Sequence, residues 1–211
     1  MSFCSPEIDC QRCPRLVKFR NQNKIKFPHY HNDSVESFGN LTAQILIVGL
    51  APGLNGANQT NRPFTNDYAG DVLYPCLKKF DFAKGEYKKI KNDGFELINV
   101  RVSNAVRCVP PQNKVTTEEI KTCGKFLIDE IKNMPNLKII LSLGAVSHSA
   151  VLRALNYKLS EFKFSHGALH NLYKYNLILI DSYHTSRYNI NTGVLTYEMF
   201  DKIIQKIRTL L

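Results

Sequence analysis

No apolar run in this chain approaches the roughly 20 residues that a membrane-spanning helix requires, which argues against a helical membrane protein. There is no long low-complexity tract, and no internal repeat or linker that would argue for a second domain. The opening Met1-Ser2-Phe3-Cys4 lacks the basic-then-apolar pattern of a secretion signal. Acidic side chains are comparatively few: 18 Asp and Glu stand against 28 Lys and Arg, a net charge of +10. The expectation is one soluble, cytoplasmic domain spanning 1–211, long enough to bury a sizeable core. In that compartment cysteines rarely pair, so six of them favour a metal over disulfides.

What is present begins with four of those cysteines. Cys10-Gln-Arg-Cys13 has the two-residue gap that commonly places two sulfurs on one metal centre. Cys108 and Cys123 follow far downstream, flanking Pro110-Pro111-Gln112-Asn113-Lys114. The four could share a site only if the chain folds back so that its N-terminus meets its middle. Spacing alone leaves zinc and an iron–sulfur cluster comparably open. Cys76, in a helical stretch at 73–77, reads as packing, and Cys4 is a competing ligand near Cys10. The basic surplus suits a polyanion, because phosphate contacts release counterions; a merely soluble, thermally robust surface is the plainer alternative. Basic residues are spread over 14–20, 24–26, 78–79 and 84–91, so charge does not locate an interface.

Four continuous apolar runs have the character of strands covered on both faces. They are 44–50 (QILIVGL), 95–100 (FELINV), 138–143 (KIILSL) and 176–180 (NLILI). Thr116-Thr117-Glu118-Glu119 forms a capping box and leads into Ile120, Leu127 and Ile131 at helical spacing. Residues 146–155 and 196–210 are further helices, the latter with Met199, Ile203, Ile207 and Leu210 on one face. The alternation predicts an α/β fold, a three-layer αβα sandwich around a mostly parallel four-stranded sheet. Ligands of such sheets bind beyond the carboxyl ends of strands, which selects the segments after Leu50, Val100 and Ile180.

The first of these segments runs Gly49-Leu50-Ala51-Pro52-Gly53, then Gly56-Ala57-Asn58, and through Arg62-Pro63-Phe64-Thr65-Asn66-Asp67 to Gly70-Asp71. A loop this rich in Gly and Asn can bring backbone amides close to a ligand. It lacks the Gly-Lys-Ser/Thr of a nucleotide phosphate loop and does not match GxGxxG. Phe64 is either core or a stacking surface for a planar ligand. Asn104, four residues before Cys108, is either a turn residue or a carboxamide that reads the edge of a base. In the last segment His184 sits among small hydroxyls, where an acid, base or hydrogen-bond donor belongs, although a lone histidine is more often structural. His148 and His166 read as structural, with His166 in a polar turn left open.

Together CQRC, GLAPG with GANQTNRPFTNDYAGD, NAVRCVPPQNK with Cys123 following, and SYHTSRYN resemble the uracil-DNA glycosylase superfamily, most of all its fifth, iron–sulfur family. The resemblance runs from Cys10 to about the last helix. It implies a [4Fe–4S] cluster on Cys10, Cys13, Cys108 and Cys123, and a partner that is double- or single-stranded DNA containing a damaged base. It further implies a base pocket of Gly49, Ala51, Phe64 and Asn104, a DNA phosphate contact at Ser186, water orientation by Asp67 and donation to the base by His184. Monofunctional excision of uracil, extending to hypoxanthine, is expected from a monomer; contact with a sliding clamp is left open. Leu50 stands where the fourth family has a carboxylate, which points to the fifth. Thr185 stands where proline is usual, which leaves the His184 loop less rigid. Both departures also keep open a non-catalytic, metal-stapled nucleic-acid-binding protein of the same fold.

Overall fold

A computed structural model of the chain describes residues 5–211, so Cys4 lies outside the described residues. The elements are α1 (Pro14–Lys26), β1 (Ile45–Gly49), α2 (Ala57–Thr60), α3 (Tyr68–Lys79), β2 (Ala83–Lys84), β3 (Glu96–Leu97) and β4 (Val100–Asn104). They continue with α4 (Thr117–Lys132), β5 (Ile139–Leu143), α5 (Ala145–Ala154), β6 (Leu169–Leu172), β7 (Leu177–Ser182), α6 (Arg187–Asn191) and α7 (Tyr197–Thr209). Successive side chains of a strand point to opposite faces. Ile45, Ile47, Ile139 and Leu141 accordingly pack with Leu73 and Leu77 of α3 and Phe200 and Ile203 of α7. Leu46, Val48 and Ile140 pack with Leu127 and Ile131 of α4 and Val151 and Leu152 of α5. The three layers expected from the sequence follow from this division. No helix among the described residues is long and apolar enough to cross a membrane.

The main sheet has five strands rather than four, in the order β4-β1-β5-β7-β6. The first four are parallel and β6 is antiparallel to β7. The added edge strand reads LHNL and buries only its last residue fully, so it carries no continuous apolar signal.

The strand expected at 95–100 is also displaced. Glu96 and Leu97 pair with Lys84 and Ala83 in a separate two-stranded ribbon. Asn99 then takes a left-handed turn (φ 57°), and the sheet strand β4 begins at Val100 and ends on Asn104. Polar Arg101 and Ser103 obscure this strand in the sequence, yet both are buried. The Glu130 carboxylate of α4, fully buried, accepts from Arg101 Nε (2.6 Å), Ser103 Oγ (2.8 Å) and Arg107 Nη2 (2.5 Å). Burial would raise the Glu130 carboxyl, but Arg107 and Arg101 outweigh it and hold it below its ordinary value.

The helix starts are written in short polar signals. Thr116 Oγ1 accepts from the Glu119 amide (3.2 Å) while Glu119 Oε2 accepts from the Thr116 amide (2.8 Å), the capping box anticipated for α4. Arg15 of α1 donates to both Glu119 oxygens (2.8 and 2.7 Å) and so docks the N-terminal helix on the start of α4. The sequence reading missed α1 because only Leu16, Arg20 and Asn23 of it are buried, which is no apolar stripe. In α7 the expected face is present through Ile203 and Ile207, but Leu210 lies at the C-cap and is exposed.

Glu130→Ala should lower the unfolding free energy by about 3–5 kcal/mol, because it strands two buried guanidinium groups. Urea denaturation at neutral pH checks this, and an unchanged midpoint would refute the bridging role given to Glu130.

Candidate functional site

The carboxyl ends of β1, β4 and β7 open onto a cleft of about 410 Å³ lined by, among others, Ala51, Phe64, Asp67, Asn104, His184 and Ser186. Six of the seven residues singled out in the sequence for base, water or phosphate contacts therefore meet at one place. The seventh, Gly49, pairs with Asn104 across β1 and β4 and lies behind the wall. A Cβ there would come within 2.5 Å of both Asn104 Oδ1 and the Phe64 ring. Gly49 thus acts by leaving space for the two side chains in front of it.

Phe64 has φ 51°, a costly backbone region for a bulky aromatic. Its surroundings enforce that conformation. Buried Arg62 donates to Thr65 Oγ1 (2.8 Å) and, through two parallel bonds of 2.8 Å, to Asp93. The same guanidinium lies over the rings of Phe38, Tyr74 and Tyr87. Burial would raise the Asp93 carboxyl, but the Arg62 hydrogen bond and two backbone amides hold it down to about 2. Tyr87 Oη donates to Phe64 O (3.1 Å), and α3 packs so closely that a Cβ on Gly70 would overlap that carbonyl at 1.8 Å. Phe64 is consequently both core, at 6% exposure, and a rigid wall of the cleft, its ring centroid 6.1 Å from that of His184.

Asp67 is the N-cap of α3, with Oδ1 accepting from the Gly70 amide (2.9 Å). Burial raises its carboxyl above the ordinary value, against the lowering effect of that hydrogen bond. His184 follows β7, and its carbonyl accepts from Asn189 Nδ2 (2.8 Å). Burial pushes its imidazole down to about 4, so the ring is neutral at physiological pH. Ser186 caps α6 by accepting from the Asn189 amide (3.3 Å). Beside it, the Arg187 guanidinium rests over the Tyr68 ring at 5.2 Å.

The chain does fold back as the cysteines require. Cys10, Cys13, Cys108 and Cys123 line one small cavity together with Leu16, Arg20 and Phe126. Cys123 Sγ accepts from the Arg107 amide (3.4 Å). No three of the four sulfurs lie within 4.8 Å of one another. Tetrahedral zinc, about 2.3 Å from each sulfur, would hold the sulfurs about 3.8 Å apart. Buried Arg20 Nε has no hydrogen-bond partner among the described residues. Burial and the neighbouring thiols push Cys13 up to about 11 and Cys108 up to about 12. An anionic thiolate-bound group would satisfy both the unpartnered guanidinium nitrogen and the four sulfurs that face the cavity, so the donor set fits. Cys76 is apart, buried in α3 with its thiol donating to Asp201 (3.2 Å).

Against known proteins, the family model described as the uracil DNA glycosylase superfamily matches residues 36–208. The chain belongs to the uracil-DNA glycosylase superfamily. The "Type-5 uracil-DNA glycosylase" of Thermus thermophilus is 36% identical over 99% of this chain and 97% of its own length. That of Pyrobaculum aerophilum is 33% identical over 97% of this chain and 90% of its own. The "Type-4 uracil-DNA glycosylase" of Saccharolobus solfataricus is 28% identical over 92% of this chain and 80% of its own. The superfamily span begins after α1, so Cys10 and Cys13 fall outside it, whereas these relatives align across nearly the whole chain.

In this glycosylase-family chain, buried Asp181 and His148 and half-buried His170 carry a feature the sequence reading missed. Asp181, at the end of β7, accepts from Ser142 Oγ (2.7 Å), His148 Nδ1 (2.8 Å) and His170 Nε2 (2.9 Å). His148 Nε2 meets Phe162 O at 3.0 Å. Although the three are close enough to hold a metal ion, both nitrogens of His148 are already engaged, and the group is a closed network. It anchors β7 three residues before His184. His166 is structural too, its Nδ1 accepting from the Tyr183 amide (3.2 Å) with the two rings stacked.

Asp67→Ala should cost about 0.5–2 kcal/mol of stability as the helix cap is lost, whereas Asp67→Asn should retain most of it. Thermal unfolding of the two variants checks the difference; equal losses would contradict the capping role.

Proposed function

We propose that this chain is a monofunctional DNA glycosylase that flips uracil out of DNA and hydrolyses its N-glycosidic bond, leaving an abasic site. The observation that carries this reading is the meeting of Asn104, Asp67 and His184 beside Phe64 in one cleft. The relatives named type-5 uracil-DNA glycosylases support it. The whole of 1–211 is taken as one unit acting as a monomer, with the N-terminal cysteine pair completing the thiolate site.

A base inside a duplex must leave the stack before it can be attacked. The net charge of +10 holds the phosphates, with Ser186 and Arg187 at the rim of the cleft. The extruded base stacks on Phe64 while the Asn104 carboxamide reads its Watson–Crick edge. Uracil offers an O4 acceptor and an N3–H donor; cytosine offers the reverse pair and leaves a buried amide unpaired. Hypoxanthine offers the same acceptor–donor order through O6 and N1–H, so the reading extends to it.

As the bond breaks, positive charge grows on the sugar and negative charge on the departing base. Neutral His184 donates to the base O2 as that charge develops. A preorganised donor of this kind is worth about 10²–10³ in rate. Asp67 holds its helix through one oxygen, leaving the other to orient water and oppose the sugar cation. Its raised basicity strengthens its hold on the water proton.

Cys10, Cys13, Cys108 and Cys123 would hold a [4Fe–4S] cluster, which supplies a structural staple and takes no part in hydrolysis. The wide spacing of the sulfurs and the unpartnered Arg20 Nε favour it over zinc.

Single-turnover excision from a uracil-containing oligonucleotide tests the assignment. His184→Ala and Asp67→Asn should each slow it by about tenfold or more, and wild-type rates in both would refute the mechanism. Because His184 titrates near 4, the wild-type rate should show no inflection at the ordinary histidine value. Its acid limb should reflect protonation of Asp67, above the ordinary aspartate value. A histidine inflection near 6.5 that disappears in His184→Ala would contradict a neutral donor.

The purified protein should be brown and contain iron and acid-labile sulfide, and Cys108→Ala should lose both with stability. A colourless, zinc-containing protein would overturn the cluster.

A further inference from the structure

We propose that Thr185 is a positioning residue whose buried hydroxyl joins the loop bearing His184 to the helix start bearing Asp67. Thr185 is fully buried between His184 and Ser186. Its Oγ1 donates to the carbonyl of Ala69 (3.2 Å), two residues beyond Asp67 in the first turn of α3. The bond spans 116 positions of sequence and is the inner link between the two segments. An outer link lies at the rim, where Arg187 sits over Tyr68. The loop itself is pinned on either side of Thr185, through the His184 carbonyl and the Ser186 hydroxyl, both bonded to Asn189.

This role rests on the glycosylase reading, in which His184 and Asp67 act on one glycosidic bond from two different segments. The base side and the water side of the reaction must then be held in register. A displacement of about 1 Å in such a constellation costs on the order of 10²-fold in rate. Neither His184 nor Asp67 touches the other through a hydrogen bond, so their separation is set by what joins their backbones. A proline at position 185 would stiffen the loop but could not donate to Ala69. The expectation of a looser loop is thus answered by a hydroxyl that ties it to α3.

Thr185→Val keeps the shape and deletes the donor; Thr185→Ser keeps the donor and deletes a methyl group. Single-turnover excision at saturating enzyme should fall by roughly 10- to 100-fold in Thr185→Val, with the Kd for uracil-containing DNA changed by less than about threefold. Thr185→Ser should stay within about threefold of wild type in both. Wild-type rates in Thr185→Val, or equal losses in both variants, would overturn the proposal in favour of simple packing. Thr185→Ala serves as the donor deletion if the valine variant does not fold.

If the wild type excises no uracil, the glycosylase reading fails by itself, and the NMR titration of the His184 ring decides the coupling. Release of the loop in Thr185→Val should move that titration from about 4 toward the solvent value, with Thr185→Ser unchanged. An unmoved titration in Thr185→Val would then overturn the coupling.

Discussion

One buried carboxylate governs how the two sites of this protein relate. Glu130 receives Arg101 and Ser103 from β4 and Arg107 from the segment just beyond it. That segment begins with Asn104 at the cleft and ends with Cys108 at the thiol cavity. Glu130 itself stands on α4, the helix that also carries Cys123. A buried ion network is often no more stabilising than apolar residues of the same volume, so its significance here is geometric. It fixes β4 against α4, and with that fixes where Asn104 faces and where the Arg107 amide meets Cys123 Sγ. The thiol pocket and the cleft wall that carries Asn104 are two ends of one five-residue stretch.

The same interaction explains what the sequence could and could not reveal. Runs 44–50, 138–143 and 176–180 have continuous apolar centres and supply the parallel strands β1, β5 and β7. Strand β4 alternates valine with Arg101 and Ser103, whose burial depends on a partner 29 and 27 positions away. No local pattern carries that information, so the apolar run beside it drew the strand boundary to 95–100. The histidine pair on Asp181 was hidden for the same reason, being joined from α5, β6 and β7 only in three dimensions. The cleft was more legible because its residues cluster in short loops directly after strands, where an α/β sheet puts its ligands. What stayed invisible was the manner of action: Gly49 by leaving space, and Asp67 by capping a helix as well as facing the cleft.

Burial also sets the electrostatics of the two cleft groups in a coordinated way. It disfavours charge on both, lowering the His184 imidazole and raising the Asp67 carboxyl. A charged imidazole at this position would carry the full cost of burial. In the proposed mechanism a neutral ring keeps its N–H available to an anion that exists only in the transition state, which is where binding energy raises rate. The helix cap works in the opposite sense on Asp67, since the Gly70 amide favours the carboxylate. The cap lowers the carboxyl and burial raises it, and burial prevails.

Under the proposed mechanism Leu50 sets the division of labour between these two groups. It lines the cleft at the end of β1, and Asp67 is the one acidic side chain in that lining. A second carboxylate at position 50 would repel Asp67 and drive one of the pair to protonate. With an apolar side chain there, the like charge acting on Asp67 comes from Asp71, outside the cleft lining. In the proposed mechanism water activation falls to the N-cap of α3, which makes the bearing of α3 against the His184 loop matter more than it would with the acid on β1. A carboxylate on β1 would stand on the rigid sheet beside β4. One on α3 must be brought into register across a loop, and the contacts that cross it include the buried hydroxyl of Thr185 and the stacked Arg187. Under the proposed mechanism the apolar residue at 50 and the hydroxyl at 185 are therefore physically related departures: the first leaves the acid role to a helix, and the second ties that helix to the His184 loop.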